Sequence, residues 1–424
     1  MFKKIQQSKP LKGEITIPAD KSISHRAVML ASLAKGKCII SNFSSGADCW
    51  STLNIFKHLG VGVNVIDKKN IEVVSDGVLK KSNLPLDAGN SGTTTRLLTG
   101  ILAGQKFDSE IIGDESLSKR PMKRIIIPLT QMGAKINSVD GHLPMTICGQ
   151  KLHGIIYHSP ISSAQVKSSI LLAGLNAESQ TTVVEPMQSR NHTELMLKYM
   201  DANILTYNKE ITIYPSELTA KNIEVVGDIS SAAFFIVAGL IVSGSDFVIK
   251  NVGINPTRTG ILDIVKRMGG EVEILNKRLI SGEECADISI KYTDSLKGCV
   301  IEGEDIPRLI DELPVIAVLA SQAEGETVVK NAEDLRNKET DRITCLVSEL
   351  KKIGLNIEET SDGFKVFGSG SLRGDAELQT YKDHRLAMSF YVAGLICEKE
   401  VAIDGFEWIN ISFPEFEELM KKLQ

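Results

Sequence analysis

The sequence predicts an α/β protein of two globular domains, each assembled from three related units of about 70 residues. Three observations carry this expectation. A block of small polar residues leading into an apolar helical run occurs six times; a more amphipathic helical run follows each block; and short β-branched runs lie between them.

The blocks are "DKSISHRAVMLASLAKG" from Asp20, "NSGTTTRLLTGILAG" from Asn90, "SSAQVKSSILLAGL" from Ser162, "DISSAAFFIVAGLIVSG" from Asp228, "DELPVIAVLASQAEG" from Asp311 and "DHRLAMSFYVAGL" from Asp383. Their starts lie 70, 72, 66, 83 and 72 residues apart. Asp, Asn and Ser at such starts satisfy the open backbone N–H groups of a helix, and the first helix is expected to stop at Gly36. The runs are apolar on nearly every face, which predicts helices buried inside a domain.

The second helices read "DCWSTLNIFKHLG", "RPMKRIIIPLTQMG", "HTELMLKYMDA", "TRTGILDIVKRMGG", "ETDRITCLVSELKKIG" and "FPEFEELMKKL", apolar at three- and four-residue spacing. "GVNVI", "NIEVV", "ITIYP" and "GEVEIL" read as strands. The third and fourth units meet near Val225–Gly227. If the strand "GEITIP" pairs with the last units, the chain crosses near Pro18 and again near Gly227. Residues 1–18 with 227–424 then form one domain, and 19–226 form the other as an insertion. No Pro- or Ser-rich linker marks either crossing, which suggests a hinge that closes on a ligand. Duplication alone would also explain the repeats, but it leaves the polar starts unaccounted for.

With 424 residues, 42% hydrophobic and 24% charged, the composition is that of an ordinary soluble protein. A formal net charge of −5 argues against a duplex-binding surface. The seven cysteines are scattered and form no C-x-x-C pair, so neither a disulfide framework nor a structural metal site is expected. "MFKKIQQSKPLKGE" lacks a signal-peptide core, and "AAFFIVAGLIV" is too short to span a bilayer, so a cytoplasmic setting without membrane contact is expected.

Lys21, Arg26, Arg96, Arg120, Arg124, Lys167, Arg190, Lys338, Arg342 and Arg385 mostly stand at or beside helix starts. Cations there oppose the helix dipole, and an anionic ligand held between them and the N–H groups would resolve the conflict. Each one taken alone also reads as an ordinary solvated charge. Asp311 reads either as the N-cap of the following helix or as an acid–base group, and Glu339 either as an i,i+3 partner of Arg342 or as a second such group. His25, His192 and His384 could bond phosphates or carboxylates, or be structural. "GSGSLRG" reads as a turn, and neither a P-loop nor a nucleophile elbow occurs.

The motifs "PADKSISHRA", "GNSGTTTRLLTG", "SKRPMKR", "SSAQVKSSILLAGL", "SRNHTE", "VVGDISSAAFF", "NPTRTG", "IPRLIDELP", "RNKETDRI" and "DHRLAMS", in this order, resemble the EPSP synthase family, and "SAQVKS" and "LIDELP" its second bacterial class. The resemblance spans essentially the whole chain. It implies a two-domain inside-out α/β barrel of six βαβαββ repeats, three per domain, with the active site in the interdomain cleft. It further implies transfer of the enolpyruvyl group of phosphoenolpyruvate (PEP) to the 5-hydroxyl of shikimate 3-phosphate, with release of phosphate and no cofactor or metal, by a monomer.

Carried onto matching positions, the resemblance assigns shikimate 3-phosphate to Lys21, Ser22, Arg26, Ser162, Ser163, Gln165, Ser189, Arg190, Asp311 and Lys338. It assigns PEP to Lys21, Asn90, Gly92, Arg120, Gln165, Arg342, His384 and Arg385. Asp311 and Glu339 would act as base and acid, with Lys21 and Lys338 sharing the proton traffic. Gly92 leaves the space that the herbicide glyphosate, a PEP competitor, would need. Ala164, Arg190 and Ile411 depart from patterns seen in other classes; Ile411 stands where one class has a PEP-contacting Lys. Two other readings are a UDP-N-acetylglucosamine enolpyruvyl transferase and a non-catalytic anion-binding protein. The first would show Lys-Asn near the start and a loop Cys, whereas Ser22 follows Lys21 and "GDESLSKRPMK" contains no Cys.

Overall fold

The six apolar runs form helices Lys21–Leu33, Gly92–Ala103, Ala164–Gly174, Ile229–Ile241, Leu313–Ala320 and His384–Gly394 in the computed structural model, which describes residues 2–424. Three of the six starts are capped at the residue that opens the block: Asp20, Asp228 and Asp383 accept hydrogen bonds from backbone N–H groups in the first turn. In the second and third blocks Ser91 and Ser163 cap, each one residue after the Asn90 or Ser162 that opens the block. Two local expectations are corrected. The first helix ends at Leu33, because Ala34 is already extended and Gly36 belongs to the strand Lys35–Ser41. The fifth helix begins after Glu312 with Pro314 in its first turn and no side-chain cap, so Asp311 does not cap it.

Apolar composition on all faces buries these helices. All thirteen residues of Ile229–Ile241 and all eight of Leu313–Ala320 are buried. Each fully buried Leu, Ile or Phe contributes about 1.5–3 kcal/mol relative to exposure. Where Gly92–Ala103 crosses Ala164–Gly174, a Cβ on Gly100 would lie 2.1 Å from the Ser169 carbonyl oxygen, so only glycine permits the approach.

The chain divides into two compact units. The inserted unit comprises Ala19–Val226 together with Leu279–Glu283; the other comprises the chain up to Pro18, Gly227–Arg278 and Glu284–Gln424. The short segment Leu279–Glu283 departs from the boundaries expected from sequence. Its physical anchors within the inserted unit are Glu283, whose Oε1 lies 2.7 Å from Nδ1 of His192 with both side chains buried, and Ser281, whose hydroxyl accepts from the Glu224 N–H at 2.9 Å.

Within each unit three helices lie inside and three sheets outside, and five of the six sheets share one pattern. A short edge strand pairs in parallel with a central strand, which continues antiparallel into a hairpin. In the second sheet, for example, Leu86–Asp87 runs parallel to Ser109–Ile112, which pairs antiparallel with His142–Cys148 and then Lys135–Val139. In four of the sheets the buried helix is the crossover that a parallel pair requires. Ile223–Glu224 closes the first sheet of the inserted unit by pairing with Lys35–Ser41. In the other unit Lys12–Thr16 pairs with Asp246–Gly253 of the fourth repeat, and the preceding strand Phe2–Ile5 pairs with Val401–Asp404 of the sixth.

Candidate active site

The repeated topology brings helix starts together in each unit, and with them the side chains singled out above. In the inserted unit, Arg26 sits one turn inside the first helix and is buried. Its Nε donates to Thr193 Oγ1 (2.7 Å), Nη1 to the Ser22 carbonyl (2.9 Å) and Nη2 to Ser168 Oγ (2.9 Å). Burial lowers its pKa to about 10, opposed by the carboxylate of Glu194, so it remains a cation at neutral pH. Lys21 forms an ion pair with Asp48, which the next helix Ala47–His58 supplies. His25 is sealed beside Thr52, its Nδ1 2.7 Å from the hydroxyl, and burial drives its pKa down to about 3.

The second and third helices present a linked set. Gln165 accepts at Oε1 from Arg96 Nη1 (2.6 Å) and donates from Nε2 to Thr93 Oγ1 (3.0 Å). Asn90 accepts from Arg120 Nη2 (2.9 Å) and donates to Asp114 (2.7 Å), so its amide is oriented from both sides. Arg120 Nε is buried and has no hydrogen-bond partner, an arrangement that an anionic oxygen would satisfy. A Cβ on Gly92 would lie 2.9 Å from Arg96 Nη1 and 3.6 Å from Arg120 Nη1.

Other sequence candidates also make contacts within the protein. Ser162 Oγ donates to the Met187 carbonyl (2.8 Å), Ser163 caps its helix, and Ser189 Oγ donates to Glu185 (2.5 Å). Lys167 stands 2.7 Å from both Glu185 and Glu194 and is only 1% exposed, so its charge is consumed inside the protein. Arg190 is half-buried and near enough to Arg26 to oppose its charge.

The other unit holds a second cluster. Three cations surround the carboxylate of Asp311: Arg342 at 3.5 Å, Lys338 at 3.9 Å and Arg385 at 3.9 Å. Arg385 also donates from Nη1 to the Asp311 backbone carbonyl at 3.3 Å. Lys338 follows the 3-10 turn Glu333–Asn337 and also pairs with Asp334 (3.1 Å). The expected i,i+3 pair is present, with Arg342 Nη2 2.5 Å from Glu339. Arg342 is buried; burial opposes its charge, but Asp383, Glu339 and Asp311 outweigh that and raise its pKa. His384 is buried at the start of the helix that carries Arg385. Ile411 closes the 3-10 turn Phe406–Ile411 and brings no charge to the cluster.

Sequence reasoning did not single out Asp383 as a partner of these groups. Its carboxylate, fully buried, accepts from Arg342 Nε (2.7 Å) and from the backbone N–H groups of Arg385 (2.8 Å) and Leu386 (3.3 Å). Its place at a helix start was the one signal that could have found it. Asp48, Glu185 and Glu194 were also missed, as was the buried set Asp228, Ser230, Arg258 and Glu312, in which Arg258 Nη2 donates to Ser230 Oγ (2.7 Å) and lies 3.2 Å from Asp228. No pattern along the chain links any of these to its partner.

Two clusters of Arg and Lys at helix starts, each with carboxylates close by, suit anionic substrates and proton transfer between them. Among the described residues no group of His, Cys, Asp and Glu could hold a metal ion, and no helix is long and apolar enough to cross a membrane.

Comparisons with known proteins agree with this chemistry. Residues 5–420 match the family described as EPSP synthase (3-phosphoshikimate 1-carboxyvinyltransferase). The chain is 52% identical to the 3-phosphoshikimate 1-carboxyvinyltransferase of Thermoanaerobacter sp. (strain X514), covering 97% of each, and 48% identical to that of Petrotoga mobilis, covering 98% of this chain and 97% of the relative. The solved EPSP synthase of Acinetobacter baumannii is similar with a TM-score of 0.90 at 42% identity, covering 100% of this chain and 98% of that one.

Proposed function

The chain belongs to the EPSP synthase family, and from that premise we infer how its residues divide the work of the family's reaction. The protein is a 3-phosphoshikimate 1-carboxyvinyltransferase: it transfers the enolpyruvyl group of PEP to the 5-hydroxyl of shikimate 3-phosphate and releases phosphate.

In our reading, shikimate 3-phosphate is held by Lys21, Ser22, Arg26, Ser162, Ser163, Gln165, Ser189, Arg190, Asp311 and Lys338. PEP is held by Lys21, Asn90, Gly92, Arg120, Gln165, Arg342, His384 and Arg385. Arginine forks match a carboxylate and a phosphate bidentately, and the orphaned Nε–H of Arg120 supports its place in that set. The observation that carries the assignment of chemistry is the carboxylate of Asp311 ringed by Lys338, Arg342 and Arg385.

Asp311 takes the proton of the attacking hydroxyl, and Glu339 delivers one to the methylene carbon of PEP as the new C–O bond forms at C2. The product of addition is a tetrahedral ketal. Loss of a proton from the methyl carbon and of phosphate from C2 restores the double bond, with Lys21 and Lys338 relaying protons and the cations stabilising the leaving charge. Both clusters must act on one pair of substrates, so this reading includes a closure of the two units that excludes water and protects PEP from hydrolysis. It also takes the protein to be a cytoplasmic monomer that glyphosate inhibits by competing with PEP.

The test is phosphate release on mixing PEP with shikimate 3-phosphate, in wild type, Asp311→Asn and Glu339→Gln. Both variants are expected to lose roughly 10²–10⁴ in kcat, the scale of general acid–base catalysis. Full activity in either variant would remove that residue from the mechanism.

A further inference from the structure

Tyr381 and Lys382, side by side, both adopt left-handed backbone (φ 51° and 62°) that residues with side chains rarely take. Two such residues in succession immediately before Asp383 require something to hold them there, and strain of this kind concentrates where geometry serves function.

The restraint is visible. Glu349 is fully buried; its Oε2 accepts from the Gln379 N–H (2.8 Å) and from Lys352 Nζ (2.7 Å), and its Oε1 accepts from the Tyr381 hydroxyl (2.8 Å). Burial, with Glu349 beside it, pushes the Tyr381 pKa up to about 12, so the hydroxyl stays a donor across the working range. On the other side of the turn, Lys382 lies over the Trp408 ring, 5.7 Å from its centroid. Glu349 and Arg342 belong to one helix, Arg342–Lys352, seven residues apart and thus on one face. That face grips the segment 379–383 at both ends: Glu349 holds Gln379 and Tyr381, and Arg342 holds Asp383.

We propose that Glu349 and Tyr381 are positioning residues that lock the left-handed turn and so fix Asp383, which in turn orients Arg342 and the helix start carrying Arg385 toward PEP. The proposal rests on the reading that Arg342 and Arg385 bind PEP. With the turn released, Asp383 and both arginines keep their charges but lose their common alignment, so the loss falls on PEP rather than on shikimate 3-phosphate.

The experiment is steady-state kinetics with both substrates, plus thermal melting, for Tyr381→Phe, Arg385→Gln and the double variant. Tyr381→Phe removes one hydroxyl and keeps the ring, so the fold is retained. It is expected to raise KM for PEP about five- to tenfold, to leave KM for shikimate 3-phosphate within twofold, and to act less than multiplicatively with Arg385→Gln, as coupled groups do. If Tyr381→Phe leaves KM for PEP unchanged while Arg385→Gln raises it, the positioning role is wrong and the site reading stands. If Arg385→Gln also leaves KM for PEP unchanged, the site reading itself fails. A rise of both KM values together, or a lowered Tm with no PEP-specific change, would assign the Glu349–Tyr381 contact to the scaffold alone and overturn the proposal.

Discussion

Arg342 Nε donates to Asp383 Oδ2 across 2.7 Å, and both side chains are buried although 41 residues separate them. Breaking a buried ion pair by removing one partner leaves an uncompensated charge and costs about 3–5 kcal/mol. Asp383→Ala is therefore expected to lower unfolding free energy by about that amount, read as a drop in the urea midpoint at unchanged slope. A midpoint equal to wild type would show that Arg342 is compensated by Glu339 and Asp311 alone.

Lys167 behaves as scaffold. Its ammonium is enclosed by Glu185 and Glu194, so Lys167→Met leaves two buried carboxylates facing each other. The expected result is a loss of several kcal/mol in stability. A variant of wild-type stability with a raised KM for shikimate 3-phosphate would instead give Lys167 a part in substrate binding.

His25 links stability to pH. Folding drives its pKa from 6.5 down to about 3, so below pH 6.5 the unfolded chain takes up a proton that the folded chain refuses. Its contribution is thus fully present above pH 6.5 and falls as pH drops toward 3, with a slope of at most about 1.4 kcal/mol per pH unit. Denaturation curves for wild type and His25→Gln between pH 7 and 4 should show a shallower decline in the variant. Parallel declines would mean that other groups carry the acid sensitivity.

Gly92→Ala introduces a Cβ that meets Arg96 Nη1 at 2.9 Å, close enough that the guanidinium must shift. Because Arg96 holds Gln165, the change reaches a residue of the proposed PEP seat. The inhibition constant for glyphosate is expected to rise by a larger factor than KM for PEP, and equal inhibition constants in the two proteins would refute this.

What could be read along the chain was whatever local chemistry specifies. The six all-round apolar helices, five of them with side-chain caps, and the amphipathic helices after them follow from side-chain periodicity, and the Glu339–Arg342 pair from i,i+3 spacing. The candidate cations were legible as a class, since Arg and Lys at helix starts break a local rule.

Which of those cations are neutralised inside the protein was decided only by the tertiary structure. Lys167 and Arg385 both stand in the first turn of a buried helix, as its fourth and second residues, yet Glu185 and Glu194 bury the charge of the first, while the second lies beside Asp311, 74 residues away. The sequence by itself determined the repeating helices and strands and the pool of charged residues. Folding decided the partners, the sealing of Lys167 and the left-handed turn before Asp383, because Coulomb energy and desolvation depend on distance through space, and chain order does not encode that distance.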